Sequence, residues 1–214
     1  MKLFVWDFHG VLEKGNELAV GEISNHVLAE RGYYQRFSDT EIEKLYGLKW
    51  YQYFEYLLPQ ESPETHLALQ QACFLHSSNS LKIISRYIQL NDHVPEILSR
   101  ISFKHQQIVI SNTRSESLRM FLEAVNITSF FPSTHALAVD AHTKDPLRQK
   151  IHVLQEFLKD KSFEKVIVIS DAPEDKALTL DKGIFYLYAH PFRKHKEGIA
   201  DFKINDLREV LKEL

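Results

Sequence analysis

Cys73 is the only cysteine among the 214 residues. No intrachain disulfide can form, and the chain is compatible with a reducing compartment. Cys73 lies among Ala72, Phe74 and Leu75, where a packed small side chain is a better reading than a nucleophile. Glycine and proline number only seven each, and no stretch is biased enough to read as disordered or repetitive. No apolar run approaches membrane-spanning length and no signal-peptide cleavage pattern precedes the first motif, so a soluble, cytoplasmic protein is expected. Clustered basic charge is lacking as well: the formal net charge is -3 and the pI about 6.4, which gives no reason to expect nucleic acid. The short run Arg193-Lys194-His195-Lys196 reads as a solvated loop. The histidines show no His-Glu-x-x-His spacing, and no Gly-rich nucleotide fingerprint implies NAD, ATP or GTP.

What remains is globular composition, 44% hydrophobic and 26% charged, in an ordered pattern. Leu3 to Trp6, Gln107 to Ile110 and Val166 to Ile169 are short apolar runs that end in polar residues, as strands buried on both faces do. Gly183 to Ala189 reads as a further strand. Between them lie helical periods: Ser115 caps Glu116 to Val125, Asp145-Pro146 opens a stretch through Leu158, and Asn205 to Leu214 forms a closing helix. The alternation predicts an α/β fold, a doubly wound parallel sheet with ligands at the carboxyl ends of its strands. From about Glu22 to Leu90 the alternation stops and only helical periods follow. Ser38-Asp39-Thr40-Glu41 has capping-box form, and Ser62-Pro63-Glu64 combines a cap, a first-turn proline and an acid. The predicted division is a Rossmann-like core of residues 1-18 and 91-214 carrying an inserted all-helical domain, residues 19-90.

Four segments carry chemistry: Asp7-Phe8-His9-Gly10-Val11-Leu12, Val109-Ile110-Ser111-Asn112, Lys144-Asp145-Pro146 and Ile169-Ser170-Asp171-Ala172-Pro173-Glu174-Asp175. In order and spacing they resemble the haloacid dehalogenase superfamily, and the insertion resembles the helical cap of one of its classes. The resemblance implies a hydrolase in which Asp7 attacks phosphorus and forms an aspartyl phosphate that water hydrolyses. It implies Mg²⁺ held by Asp7, the main-chain carbonyl of His9, Asp171 and Asp175, with Asp171 nearest the metal and Asp175 in support. Ser111 would hydrogen-bond a transferring phosphoryl oxygen, helped by the Asn112 N-H. Lys144 would neutralise the same oxygens. Lys150 is the runner-up, since a lysine inside a predicted helix is solvated by default. Ser170 stands where the family has glycine, a minor change between small residues.

His9 is the departure, because phosphatases of the superfamily have a second Asp there. A histidine could protonate the leaving alkoxide and then activate water, and a neighbouring Mg²⁺ would favour its neutral form. It could equally mark a branch with other chemistry or a lost activity. In the insertion, Lys49 and Trp50 are candidate substrate contacts, a cation for an anionic group and a flat face for a ring. Tyr53, Phe54, Leu57 and Leu58 have helical spacing and read as core. Arg114 is a further candidate for a substrate anion. The leading expectation is a Mg²⁺-dependent phosphomonoester hydrolase of a small soluble phosphorylated metabolite. Its competitors are a carbon-halogen or carbon-phosphorus hydrolase using Asp7 covalently, and a non-catalytic binding protein on the same scaffold.

Overall fold

The computed structural model describes residues 1-78, 81-140, 149-180, 183-191 and 193-214. The described chain divides into two compact units, one of Met1–Lys14 with Leu90–Leu214 and one of Gly15–Gln89. The first is built on strands β1 (Leu3–Trp6), β4 (Gln106–Ser111), β5 (Ala136–Ala138), β6 (Val166–Ser170), β7 (Ile184–Tyr188) and β8 (Phe202–Ile204). They form one sheet in the order β5-β4-β1-β6-β7-β8 with parallel pairing between neighbours. The chain therefore winds from β1 outward through β4 to β5, then returns to the other side of β1 for β6, β7 and β8. Such a reversal leaves a crevice at the carboxyl ends of β1 and its neighbours, the place where open α/β sheets bind ligands.

Alternating side chains explain why this sheet is covered on both faces. Leu3 and Val5 join Ile108, Ile110, Val168, Phe185 and Leu187 in one apolar layer with Val153, Leu154 and Phe157 of α8 (Lys150–Leu158). Phe4 and Trp6, the intervening residues of β1, are also fully buried. The Trp6 indole N-H donates to Gln107 Oε1 at 3.1 Å, and Gln107 in turn donates to the Leu98 carbonyl at 2.8 Å. A buried indole thus keeps its one polar group satisfied. Leu98 and the buried Val94, Ile97 and Ile101 belong to α6 (Val94–Ser102), and α7 (Ser115–Ala124) buries Leu118, Phe121 and Leu122.

The edges differ from the sequence reading. β5 and β8 were not foreseen: each has three residues, and Ala136-Leu137-Ala138 lacks the β-branched side chains that announce a strand. The expected closing helix is a 3₁₀ helix, Leu207–Glu213, capped by the Asp206 carboxylate rather than by Asn205.

The second unit is helical: α1 (Asn16–Glu30), α2 (Asp39–Leu45), α3 (Trp50–Leu57), α4 (Pro63–Ser78) and α5 (Leu81–Tyr87). The Ser38 capping box is present, with Glu41 N-H donating to Ser38 Oγ at 3.3 Å and Ser38 N-H to Glu41 Oε2 at 2.9 Å. Its core gathers Ile23, Val27, Leu28, Phe37, Tyr53, Phe54, Leu58, Leu69 and Cys73. Burial pushes the Cys73 thiol well above its usual range, which makes it inert packing. Where the chain passes between the units, β2 (Glu13–Lys14) and β3 (Gln89–Leu90) form a two-stranded sheet. Gly15 follows with φ 96°, and a Cβ there would collide with the Tyr87 carbonyl, so only glycine fits.

Candidate active site

Asp7 is the first residue beyond β1, and its N-H continues the ladder by donating to the Ile169 carbonyl at 2.9 Å. Register then sets its neighbours. Trp6 pairs with both Val109 and Ile169, so Ser111 at the end of β4 and Ser170 at the end of β6 flank the Asp7 end of the sheet. Asp7 Oδ1 accepts the Phe8 N-H at 2.8 Å and lies 3.0 Å from Lys150 Nζ. Lys150 Nζ also donates to Asp175 Oδ2 at 2.7 Å. One buried ammonium therefore bridges two carboxylates. Burial alone would lower the Lys150 pKa, but Asp7 and Asp175 together outweigh it and hold the amine firmly charged. The Asp175 carboxyl is raised by its own burial despite Lys150.

The expectation that Lys150 is a solvated helical lysine is corrected: it is buried, 7% exposed. It is the first residue of α8, and a crossover helix begins near the end of the sheet where the preceding strand finishes. In the first turn, the side chain faces the carboxyl ends rather than solvent. Lys144 falls outside the described residues.

Ser170 is also more than a small residue in a tight turn. Its hydroxyl is fully buried, donates to Asp175 Oδ2 at 2.6 Å and lies 3.3 Å from Asp7 Oδ2, while accepting the Ala172 N-H at 3.1 Å. A hydroxyl has one proton, and the distances give it to Asp175. A glycine could make none of these links. Asp175 is thereby occupied by Lys150 and Ser170, which suits the supporting role expected for it.

Asp171 Oδ2 accepts from Lys196 Nζ at 3.0 Å. Burial, then the charge of Asp7, push its carboxyl up to about 6, with Lys196 acting against them. Two carboxylates whose charges repel each other are a chemically suitable partial ligand set for a hard divalent cation. Among the described residues, Asp7, Asp171 and Asp175 do not converge as a three-carboxylate cage; the one grouping of three metal-capable side chains is His26, Glu30 and His76 in the helical unit.

Ser111 is buried, 1% exposed, and its hydroxyl has no hydrogen-bond partner among the described residues. Asn112 and Arg114 are exposed beyond it, Arg114 occupying the N-cap of α7 one residue earlier than the expected Ser115. Glu174 is exposed, as a helix-start acid. His9 Nδ1 lies 2.7 Å from Glu13 Oε1, a partner the sequence reading did not single out; its only signal was the four-residue spacing. In the helical unit, the Lys49 N-H donates to Gln52 Oε1 at 2.9 Å. Trp50 donates its indole N-H to Ser24 Oγ at 2.9 Å and packs edge-on against Phe74, so its ring works as core there.

A family model for haloacid dehalogenase-like hydrolases matches residues 4-188. The chain belongs to that family. The solved structures that resemble this haloacid dehalogenase-like hydrolase do so in fold. A haloacid dehalogenase-like hydrolase from Streptococcus pneumoniae is 14% identical, with 99% of this chain and 97% of that one covered at a TM-score of 0.73. A protein described as a predicted phosphoglycolate phosphatase from Haemophilus somnus is 12% identical, with 99% and 96% covered at 0.77. CbbY from Rhodobacter sphaeroides, solved in complex with phosphate, is 13% identical, with 97% and 95% covered at 0.72. No curated protein matches the chain by sequence. Among the described residues of this hydrolase, no helix is long and apolar enough to cross a membrane.

Proposed function

We propose that the protein is a phosphomonoester hydrolase acting on a small phosphorylated metabolite, with Asp7 as nucleophile. The observation that carries this reading is the Asp7 carboxylate, fixed at the topological switch point by Lys150 and the Phe8 N-H. Its Oδ1 takes both of those donors. Among the described residues Oδ2 has only the longer approach of Ser170, so it is the oxygen with electron density to spend on phosphorus. Attack forms a bond from Asp7 Oδ2 to phosphorus as the ester oxygen leaves with its electron pair, and water later displaces the phosphate from Asp7.

Lys150 has two parts in this scheme. It orients the nucleophile through the 3.0 Å contact with Asp7 Oδ1, and its charge would offset charge developing on the phosphoryl oxygens. Ser111 offers a buried hydroxyl with its hydrogen-bonding capacity unspent, suited to donate to a phosphoryl oxygen. His9 is the acid-base candidate, giving a proton to the leaving oxygen and taking one from water. Asp7, Asp171 and the His9 carbonyl would hold Mg²⁺, and Asp175 would steady the set through Lys150 and Ser170. When bound, Mg²⁺ supplies positive charge that offsets repulsion between the Asp7 carboxylate and an anionic substrate. The phosphatase description of one structural neighbour and the phosphate bound to another support the substrate class. The helical unit is the candidate cap and Lys49 its candidate substrate contact, a role that Lys49→Ala tests through KM.

The test is hydrolysis of p-nitrophenyl phosphate with Mg²⁺ and with EDTA, using Asp7→Asn as control. Nitrophenolate leaves without a proton, so the assay isolates nucleophile and metal from His9. Metal-dependent turnover that Asp7→Asn reduces to background is expected. A folded, Mg²⁺-saturated protein that hydrolyses no phosphate ester but releases halide from a haloacid would sink the phosphatase reading.

A further inference from the structure

Glu13 has no part in the scheme above, yet it is fully buried, 0% exposed. The turn that puts it there is tight: the Phe8 carbonyl accepts the N-H groups of Val11, Leu12 and Glu13. Val11 and Leu12 are fully buried apolar neighbours, and Asn91 ties the segment down by donating from its side chain to the Val11 carbonyl at 2.8 Å and the Glu13 carbonyl at 3.3 Å. In this enclosure the Glu13 carboxylate has one oxygen, Oε2, with no hydrogen-bond partner. The other lies 2.7 Å from His9 Nδ1. A buried carboxylate with an unsatisfied oxygen is costly, and a position between Leu12 and the β2 turn could be filled by an apolar residue at no such cost.

The His9 ring is held on its other sides by aromatic edges. Its centroid is 5.1 Å from Phe8 at 80° and 4.9 Å from Phe121 at 78°. These contacts restrict ring tilt but do not choose between the two ring nitrogens, because an aromatic face has no preference for one. Glu13 does. An ionised carboxylate only accepts hydrogen bonds, so a bond to Nδ1 requires the proton on Nδ1.

We infer that Glu13 is the positioning residue for His9: its buried carboxylate accepts the Nδ1-H, fixing the ring in one orientation and one tautomer and leaving Nε2 as the nitrogen that works on substrate. The catalytic consequence rests on the acid-base reading of His9; the tautomer does not. A substitution of aspartate by histidine at the catalytic position replaces a side chain with two equivalent oxygens by one with two inequivalent nitrogens. Glu13 removes that ambiguity.

The test reads the tautomer directly. The ¹⁵N spectrum of the histidine-labelled protein, with the His9 signals assigned by their loss in His9→Asn, is expected to show Nδ1 protonated, which leaves Nε2 to give and take the proton at the substrate. In Glu13→Leu, similar in size but without an acceptor, the two His9 tautomers should become mixed. With an alkyl phosphate, whose leaving group needs a proton, kcat should fall by up to about 10²-fold with KM nearly unchanged, while release of nitrophenolate from p-nitrophenyl phosphate should change far less. In a His9→Asp background the same substitution should cost nothing further, because a merely structural Glu13 would cost as much in either background. A wild-type spectrum with Nδ1 bare, or one unchanged by Glu13→Leu, would overturn the positioning role, and the wild-type spectrum decides even if Glu13→Leu fails to fold. A held tautomer in a protein without phosphatase activity supports the positioning and overturns the hydrolase reading instead.

Discussion

Both units bury polar groups, but they settle them differently. In the helical unit, Ser24 donates to the Val20 carbonyl one turn back and receives the Trp50 indole N-H, and His66 meets the Leu58 carbonyl. Two of these three bonds run to main-chain carbonyls, and none involves a carboxylate or an ammonium. At the carboxyl ends of the sheet the buried groups are charged, and they come from far apart in sequence: Asp7, Lys150 and Asp175, with Ser170 between the two acids. Neutral, local pairs stabilise a packed interior at little desolvation cost. A buried ammonium shared by two carboxylates is a poor way to gain stability and a good way to hold one nucleophile ready. The difference marks which unit is organised for chemistry.

Substitutions can break that contrast. Lys150→Met leaves Asp7 and Asp175 facing each other in a buried site, and a loss of about 3–5 kcal/mol in urea unfolding at neutral pH is expected, together with loss of turnover. Lys144→Met should leave both intact; the reverse pattern would return the phosphoryl-neutralising role to Lys144. Ser111→Ala removes a hydroxyl that has no partner, so stability should hold while kcat falls by about 10²- to 10³-fold, the loss typical of one oxyanion-type donor. Unchanged kcat would make Ser111 a mere strand end.

Asp171 sharpens the contrast through pH. Its carboxyl is raised in the fold to about 6, against about 3.9 in an unfolded chain. The folded state thus binds this proton more tightly, and the Asp171 contribution to metal-free stability is full below about pH 4 and lost as pH rises through about 6. Wild type should therefore lose stability relative to Asp171→Asn across that window, and Mg²⁺ should reverse the difference at higher pH. The smallest effect belongs to the helical unit. His26 and Glu30 are an exposed pair one turn apart, at 3.2 Å, and His26→Ala should change the unfolding midpoint by no more than about 0.5 kcal/mol.

The sheet was legible where burial was complete. β1, β4, β6 and β7 are runs of large apolar residues buried on both faces, and such runs have few other uses in a soluble chain. β5 and β8 escaped because an edge strand needs apolar cover on fewer sides. In the candidate site, Asp7, Ser111 and Asp171 were singled out because each stands at the end of an apolar run, and Asp175 because it lies four residues after Asp171. Lys150 was misjudged because its environment depends on where α8 begins, and a helix boundary is weakly encoded. Ser170 was underrated for a different reason: size was compared with glycine, while its hydroxyl was the property in use. Glu13 offered no apolar periodicity at all, since its burial comes from the tight turn after Phe8 and from Asn91, contacts between segments nearly eighty residues apart.

The pairing of β2 with β3 has a consequence for how this chain can be edited. Residues 15-89 begin and end at adjacent strands, where the separation is about 5 Å. To the rest of the polypeptide, these seventy-five residues are a detour that returns to its starting point. They are exchangeable in principle: a few-residue bridge from Lys14 to Leu90 would preserve the strand order, and a different insert with close-set ends could be spliced in at the same seam. Gly15 marks the seam, because its backbone there admits no side chain. New specificities could thus be grafted between two fixed stitches without recutting the cloth.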